Sequence, residues 1–106
     1  MFGYVIVLSL AVLFTSAPVF AQEPSGLIAR GKELFVEQGC YGCHTMGKMG
    51  TPIGPDLSAV GSRHPQAYLE RWVRDPSSQK PTAHMPKLDL TEEEVRALAA
   101  YLASLR

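Results

Sequence analysis

The chain has 106 residues, 46% of them hydrophobic, and its ten Lys and Arg are balanced by ten Asp and Glu, giving a formal net charge of zero. That length accommodates one small domain, and the balance supplies no overall pull toward nucleic acid or other acidic polymers. Every Asp, Glu, Lys and Arg falls within residues 22–106, so a charge-free segment precedes the domain.

Residues 2–20 carry no charge and are strongly apolar, with Phe2, Val5, Ile6, Val7, Leu8, Leu10, Val12, Leu13 and Phe14. Val19-Phe20-Ala21 offers a small-residue cleavage site that would make Gln22 the first mature residue; cutting after Ala17 would place Pro18 downstream, which peptidases reject. A secretory signal normally has a basic start, absent here, and the uncharged stretch approaches the ~20 residues that span a bilayer. Residues 1–21 are therefore expected to be either a signal peptide or an uncleaved membrane anchor, with residues 22–106 as the domain.

Ser25 is placed to cap a first helix, whose apolar face would be Leu27, Gly31, Leu34 and Phe35, and Gly39 is placed to end it. Residues 40–44 then read Cys-Tyr-Gly-Cys-His and hold the only two cysteines of the chain. This is the attachment run of c-type haem. Two thiols one turn apart can each add to a vinyl group on one edge of the same porphyrin, and the next histidine then lies under the iron. Cys40 and Cys43 are read as thioether anchors and His44 as the proximal ligand. A thioredoxin-type pair would need flanking strands, and zinc would need further ligands at recognisable spacing; neither pattern follows. A disulfide would block haem addition, so both thiols are assigned to haem. Attachment on the oxidising side of the membrane fits export, to the periplasm or another extracytoplasmic face. A core this small needs a staple, which the bound porphyrin supplies.

Residues 45–63, rich in Gly and Pro, read as an irregular loop. Pro65 suits the first turn of a second helix with Tyr68, Leu69, Trp72 and Val73 on its apolar side, stopping by Asp75 because Pro76 disfavours helix before it. Residues 76–90 read as another loop. Thr91 followed by Glu94 is a capping box, and Val95, Leu98, Ala99, Leu102 and Leu105 form the buried stripe of a last helix. No strand pattern is evident. The expected architecture is a small, mainly α domain of about three to four helices wrapped around one haem.

A sixth ligand to iron separates electron transfer from ligand chemistry. Met85 is the first candidate, on the proline-bounded stretch His84-Met85-Pro86. Its soft, neutral thioether favours ferrous iron and raises the reduction potential. Methionine also fills core gaps. His84, His64, Met46 and Met49 are alternatives, Met46 being confined to the proximal side and Met49 more suited to the haem edge.

With these residues in place, the chain resembles the class I monohaem cytochromes c over most of residues 26–105. The shared features are Gly31 and Phe35 before the haem run, Gly54-Pro55-Asp56-Leu57, Tyr68-Leu69, Pro76, Pro81, Met85-Pro86 and Leu98-x-x-Tyr101. The resemblance implies that the first and last helices cross near the haem at Gly31, with Phe35, Leu98 and Tyr101 filling the contact. It also implies that the Pro55 carbonyl accepts a hydrogen bond from His44, and that the Trp72 indole reaches a haem propionate. The uncharged leader further resembles those of membrane-anchored cytochromes that sit beside terminal oxidases and reductases.

Charge is unevenly spread. Residues 40–87 hold six Lys and Arg against three carboxylates, net +3, and the rest of residues 22–106 holds four against seven, net −3. Lys48, Lys80 and Lys87 are expected to rim the exposed haem edge and orient docking on acidic redox partners. The function expected is one-electron transfer by haem c with His44 and Met85 as axial ligands, without bond chemistry at the protein. The alternatives are a membrane-anchored cytochrome subunit of an oxidase or reductase complex, and a haem enzyme or gas-binding protein with a labile sixth ligand.

Overall fold

Two long helices with complementary apolar faces organise the domain. Helix α1 (Pro24–Glu37) buries Gly31, Leu34 and Phe35, and the last helix, α5 (Glu92–Ser104), buries Val95, Leu98, Ala99 and Leu102 together with Ala97, Ala100 and Tyr101. Between them lie a 3-10 turn (Cys40–Gly42), a short antiparallel hairpin β1 (Thr45–Met46) and β2 (Met49–Gly50), α2 (Val60–Arg63), α3 (Gln66–Arg74) and α4 (Pro76–Gln79). The computed structural model describes residues 24–106, together with residues 2, 3, 6 and 9–16. The expected cleavage site at Val19-Phe20-Ala21 lies outside the described residues. Among the described residues no helix is long and apolar enough to cross a membrane.

The helix pair meets where Gly31 was expected to permit it. A Cβ at Gly31 would overlap the Ala97 carbonyl oxygen and stand 2.6 Å from Tyr101 Cβ, so only hydrogen fits. Phe35 meets Tyr101 edge-on at 5.7 Å and Tyr41 at 4.8 Å, the favoured geometry for aromatic pairs. Arg30 reaches Glu33 and Glu37 on its own helix and Glu94 at the start of α5.

The last helix starts at the expected box. Thr91 N donates to Glu94 Oε1 at 3.0 Å, and Glu94 N donates to Thr91 Oγ1 at 3.2 Å. Arg74, from the end of α3, makes two parallel bonds to Glu92 at 2.9 and 2.8 Å and so ties α3 to that helix. On α3, Leu69 and Val73 are buried while Tyr68 and Trp72 are half-buried.

Several boundaries differ from the sequence reading. Ser25 lies inside the first turn of α1 rather than capping it. Pro65 precedes α3 in an extended conformation, and its carbonyl accepts the first helical bonds, from Tyr68 N at 3.0 Å and Leu69 N at 3.2 Å. A proline φ near −70° suits helix and extended chain alike, so ψ decides. Leu105 caps α5 and is half-buried.

The described residues contain five α-helical segments rather than three to four, because α2 and α4 are single four-residue turns within stretches read as loops. Pro76 both ends α3 and begins α4 at its first position. The hairpin was likewise unexpected: Thr45 pairs with Gly50 and Met46 with Met49 across Gly47-Lys48. Two-residue strands are too short to show alternation.

Candidate functional site

Gly39, at φ +74°, ends α1 and opens the 3-10 turn carrying the cysteines. Cys43 N and His44 N both donate to the Cys40 carbonyl, at 3.2 and 2.9 Å. That single turn brings the two thiols together and delivers His44 beyond them. Both thiols are free, Cys40 half-buried and Cys43 exposed. Burial pushes the Cys40 thiol up, outweighing a backbone hydrogen bond that pulls it down, with a smaller upward push from Cys43.

Cys40, Cys43 and His44 open on a cavity of about 580 Å³, within the usual ~300–1,000 Å³ range of cofactor sites. Its apolar wall comes from every long helix: Phe35 from α1, Leu69 and Val73 from α3, and Leu98 and Leu102 from α5. Met85, His84 and His64 line it as well, whereas Met46 and Met49 do not. Met46 instead packs half-buried against the core, and Met49 is 62% exposed. Cationic lining comes from Arg63 and Lys80.

The orientation of His44 is held from behind. Its Nδ1 lies 2.7 Å from the Pro55 carbonyl oxygen, which accepts only, so Nδ1 carries the proton and Nε2 keeps its lone pair. A Cβ on Gly54 would stand 2.7 Å from His44 Cε1 and 2.9 Å from Nδ1, so any larger residue would displace the ring.

On the other segment, Trp72 Nε1 donates to Met85 Sδ at 3.2 Å. The one N–H of Trp72 is thus given to the sulfur, where the resemblance implied a propionate. Tyr68 stacks between His64, at 4.4 Å, and Trp72, at 6.3 Å, and the Arg71 guanidinium lies 5.9 Å above the Tyr68 ring. This stack was not read from the sequence. Its only signal was the fourfold spacing of His64, Tyr68 and Trp72, which also suits a plain helix face.

These residues fit a haem. Two thiols stand on the rim, an imidazole nitrogen is free of the protein's own hydrogen bonding, a thioether reaches the cavity from a distant segment, and the intervening wall is apolar. Cys40 and Cys43 would hold the porphyrin edge, while His44 and Met85 could hold the iron.

Residues 28–106 match the family profile described as Cytochrome c. Among curated proteins, cytochrome c oxidase subunit 2 of Alkalihalophilus pseudofirmus is 40% identical over 95 residues, covering 80% of this chain and 28% of that protein. A nitric oxide reductase subunit of Stutzerimonas stutzeri is 28% identical over 86 residues, covering 76% of this chain and 59% of that protein. The chain thus spans about a quarter of the oxidase subunit and three-fifths of the reductase subunit. Among solved structures, the crystal structure of the c-type cytochrome SorU from Sinorhizobium meliloti superposes with a TM-score of 0.60 at 25% identity, covering 76% of this chain and 92% of that one. The chain belongs to the cytochrome c family, and its domain is an electron carrier with covalently bound haem c.

Proposed function

We propose that this domain passes single electrons between redox partner proteins on the extracytoplasmic side of a membrane, with His44 and Met85 as the axial ligands of its iron. The observation that carries the reading is that Met85 and the Cys40-Cys43-His44 turn, far apart in sequence, line one cavity. Haem c, when bound, supplies a one-electron ferric–ferrous couple. The protein's part is to hold, tune and shield. Cys40 and Cys43 tether the edge covalently, and Pro55 keeps the His44 ring aimed with its Nε2 available. Met85 presents a neutral sulfur that favours the reduced state. Trp72 serves the cofactor through that sulfur. The apolar wall excludes water, so little reorganisation accompanies each transfer.

Substituting Met85→Ala tests this. Haem should stay covalently attached, the far-red absorption band of Met-ligated ferric haem should vanish, and the potential should fall. A band that survives the substitution removes Met85 from the iron. Carbon monoxide binding to the reduced wild-type protein at neutral pH would instead indicate a labile sixth site.

A second reading is favoured by the relatives: a cytochrome subunit of an oxidase or reductase complex, held at the membrane by residues 1–21. Its support is that the matching curated proteins are subunits of cytochrome c oxidase and of nitric oxide reductase. The side chains of Phe2, Leu10 and Phe14 are 98%, 88% and 93% exposed, and a bilayer would bury them. Intact mass of the purified protein decides, because it reports haem addition and leader removal together. Loss of residues 1–21 would leave the freely diffusing carrier.

A further inference from the structure

Two stretches on the proximal side of the cavity run alongside each other, most of their hydrogen bonds joining residues eleven apart. Gly54 N donates to the Cys43 carbonyl, His44 Nδ1 to the Pro55 carbonyl at 2.7 Å, Thr45 Oγ1 to Asp56 Oδ2 at 2.7 Å, and Gly47 N to Ser58 Oγ at 2.7 Å. Asp56 gathers most of the remaining contacts. Its Oδ1 accepts from Ser58 N at 3.0 Å, its Oδ2 also accepts from Ser58 Oγ at 3.2 Å, and its own carbonyl accepts from Arg63 Nη2 at 2.9 Å. The Leu57 amide completes the seam on the Thr45 carbonyl at 2.9 Å.

The bond that aims His44 is therefore bracketed one residue further on by a charge-assisted bond from Thr45 to Asp56, and bonds to an ionised acceptor are stronger than neutral ones. Pro55 has no amide hydrogen of its own to fasten it, so its carbonyl is held through its neighbours. The carboxylate is the fastener on the C-terminal side, and it places a negative charge beside the segment carrying His44. The Thr45 hydroxyl first, then the Ser58 amide and hydroxyl, hold Asp56 below the usual carboxylate range and so ionised.

We infer that Asp56 is a positioning residue for the proximal ligand: through Thr45 and the Pro55 carbonyl it fixes the His44 ring, and its charge lowers the reduction potential by favouring the ferric state. This rests on the reading of His44 as an axial ligand. Anionic charge near the ligand-bearing segment stabilises the more positive oxidation state, and a firmly held Nδ1–H bond makes the imidazole a stronger donor.

Two variants of the haem-loaded protein test it. Asp56→Asn keeps an acceptor and removes the charge; Thr45→Val keeps the charge and removes the hydroxyl that reaches it. The readouts are midpoint potential by redox titration and solvent exchange of the His44 Nδ1–H by NMR in the ferrous form. Asp56→Asn should raise the potential. Thr45→Val should speed the exchange about tenfold, the worth of one hydrogen bond to a charged group. If both variants keep wild-type potential and wild-type exchange while only their melting temperatures move, Asp56 is a loop staple and the inference is overturned. Failure of the His44 reading would look different: in the ferrous wild type itself the His44 ring protons would lack the strong upfield shift of an imidazole held against the porphyrin face.

Discussion

At the level of single residues, the sulfur of Met85 has the most specific surroundings. A thioether is a weak acceptor, and indole N–H has many stronger partners to choose from, yet Trp72 gives its hydrogen to Met85 Sδ at 3.2 Å. Such a bond positions the sulfur, and were Met85 to hold the iron, the positive end of the N–H dipole on that sulfur would favour the reduced state. Trp72→Phe keeps the half-buried ring and deletes the donor. Its expected effect is a lower potential, by about 0.5–1.5 kcal/mol, which for one electron is about 20–65 mV. Redox titration checks this, and an unchanged potential would leave Trp72 as a packing residue. Pro55 was assigned by resemblance to the back of His44, and the 2.7 Å contact agrees with that expectation. The partner of Trp72 was not legible, because a tryptophan on the apolar side of a helix announces burial but not the direction of its N–H.

At the level of elements, the α1–α5 crossing and the start of α5 carry most of the order. Gly31→Ala would drive a methyl into the Ala97 carbonyl and Tyr101 Cβ, so the two helices must separate. Overpacking of this kind costs about 1–3 kcal/mol, to be read as a lowered denaturation midpoint at unchanged slope. A midpoint equal to wild type would mean that the helices have room to yield. The capping box and the Arg74–Glu92 pair give the same elements an acid sensitivity. The Arg74 guanidinium holds Glu92 below the usual carboxylate range, and the Thr91 amide does the same for Glu94. Lowered values in the fold mean that the unfolded chain binds protons first as pH falls. The stability these groups contribute is complete above the ordinary carboxylate value of about 4.3 and is lost as pH drops through their lowered folded values. Melting temperatures recorded from neutral pH downward should hold level and then fall below about pH 4, less steeply in Glu92→Gln. Both long helices and the box were legible because periodicity and caps are local signals. The hairpin, α2 and α4 were not, since one turn or two residues leave no period to detect. For α2 a tertiary bond adds what the local sequence lacks, Gly61 N to the Leu105 carbonyl at 2.7 Å.

At the level of the whole molecule, a neutral total conceals an uneven spread of charge along the sequence. Lys48, Lys80 and Lys87 are all exposed on the half of the sequence with net +3, and Lys80 also lines the cavity. Electron transfer to an acidic partner should slow as ionic strength rises, because screening shortens the reach of those charges to about 8 Å at physiological salt. Stopped-flow rates across a salt series check this, and a rate indifferent to salt removes the steering role. Of the protein's character, the sequence by itself determined the haem run and the helical class and nominated His44 and Met85, because covalent attachment and capping demand particular residue types at particular spacings; the helix crossing at Gly31 came from the family resemblance. Only the tertiary structure decided what surrounds those two side chains. It set Trp72 on the Met85 sulfur, separated Met46 and Met49 from the cavity, and laid residues 43–47 against 54–58 so that Asp56 reaches Thr45. Those are contacts across loops without periodicity, and their partners are chosen by how the chain closes around the cavity rather than by distance along it.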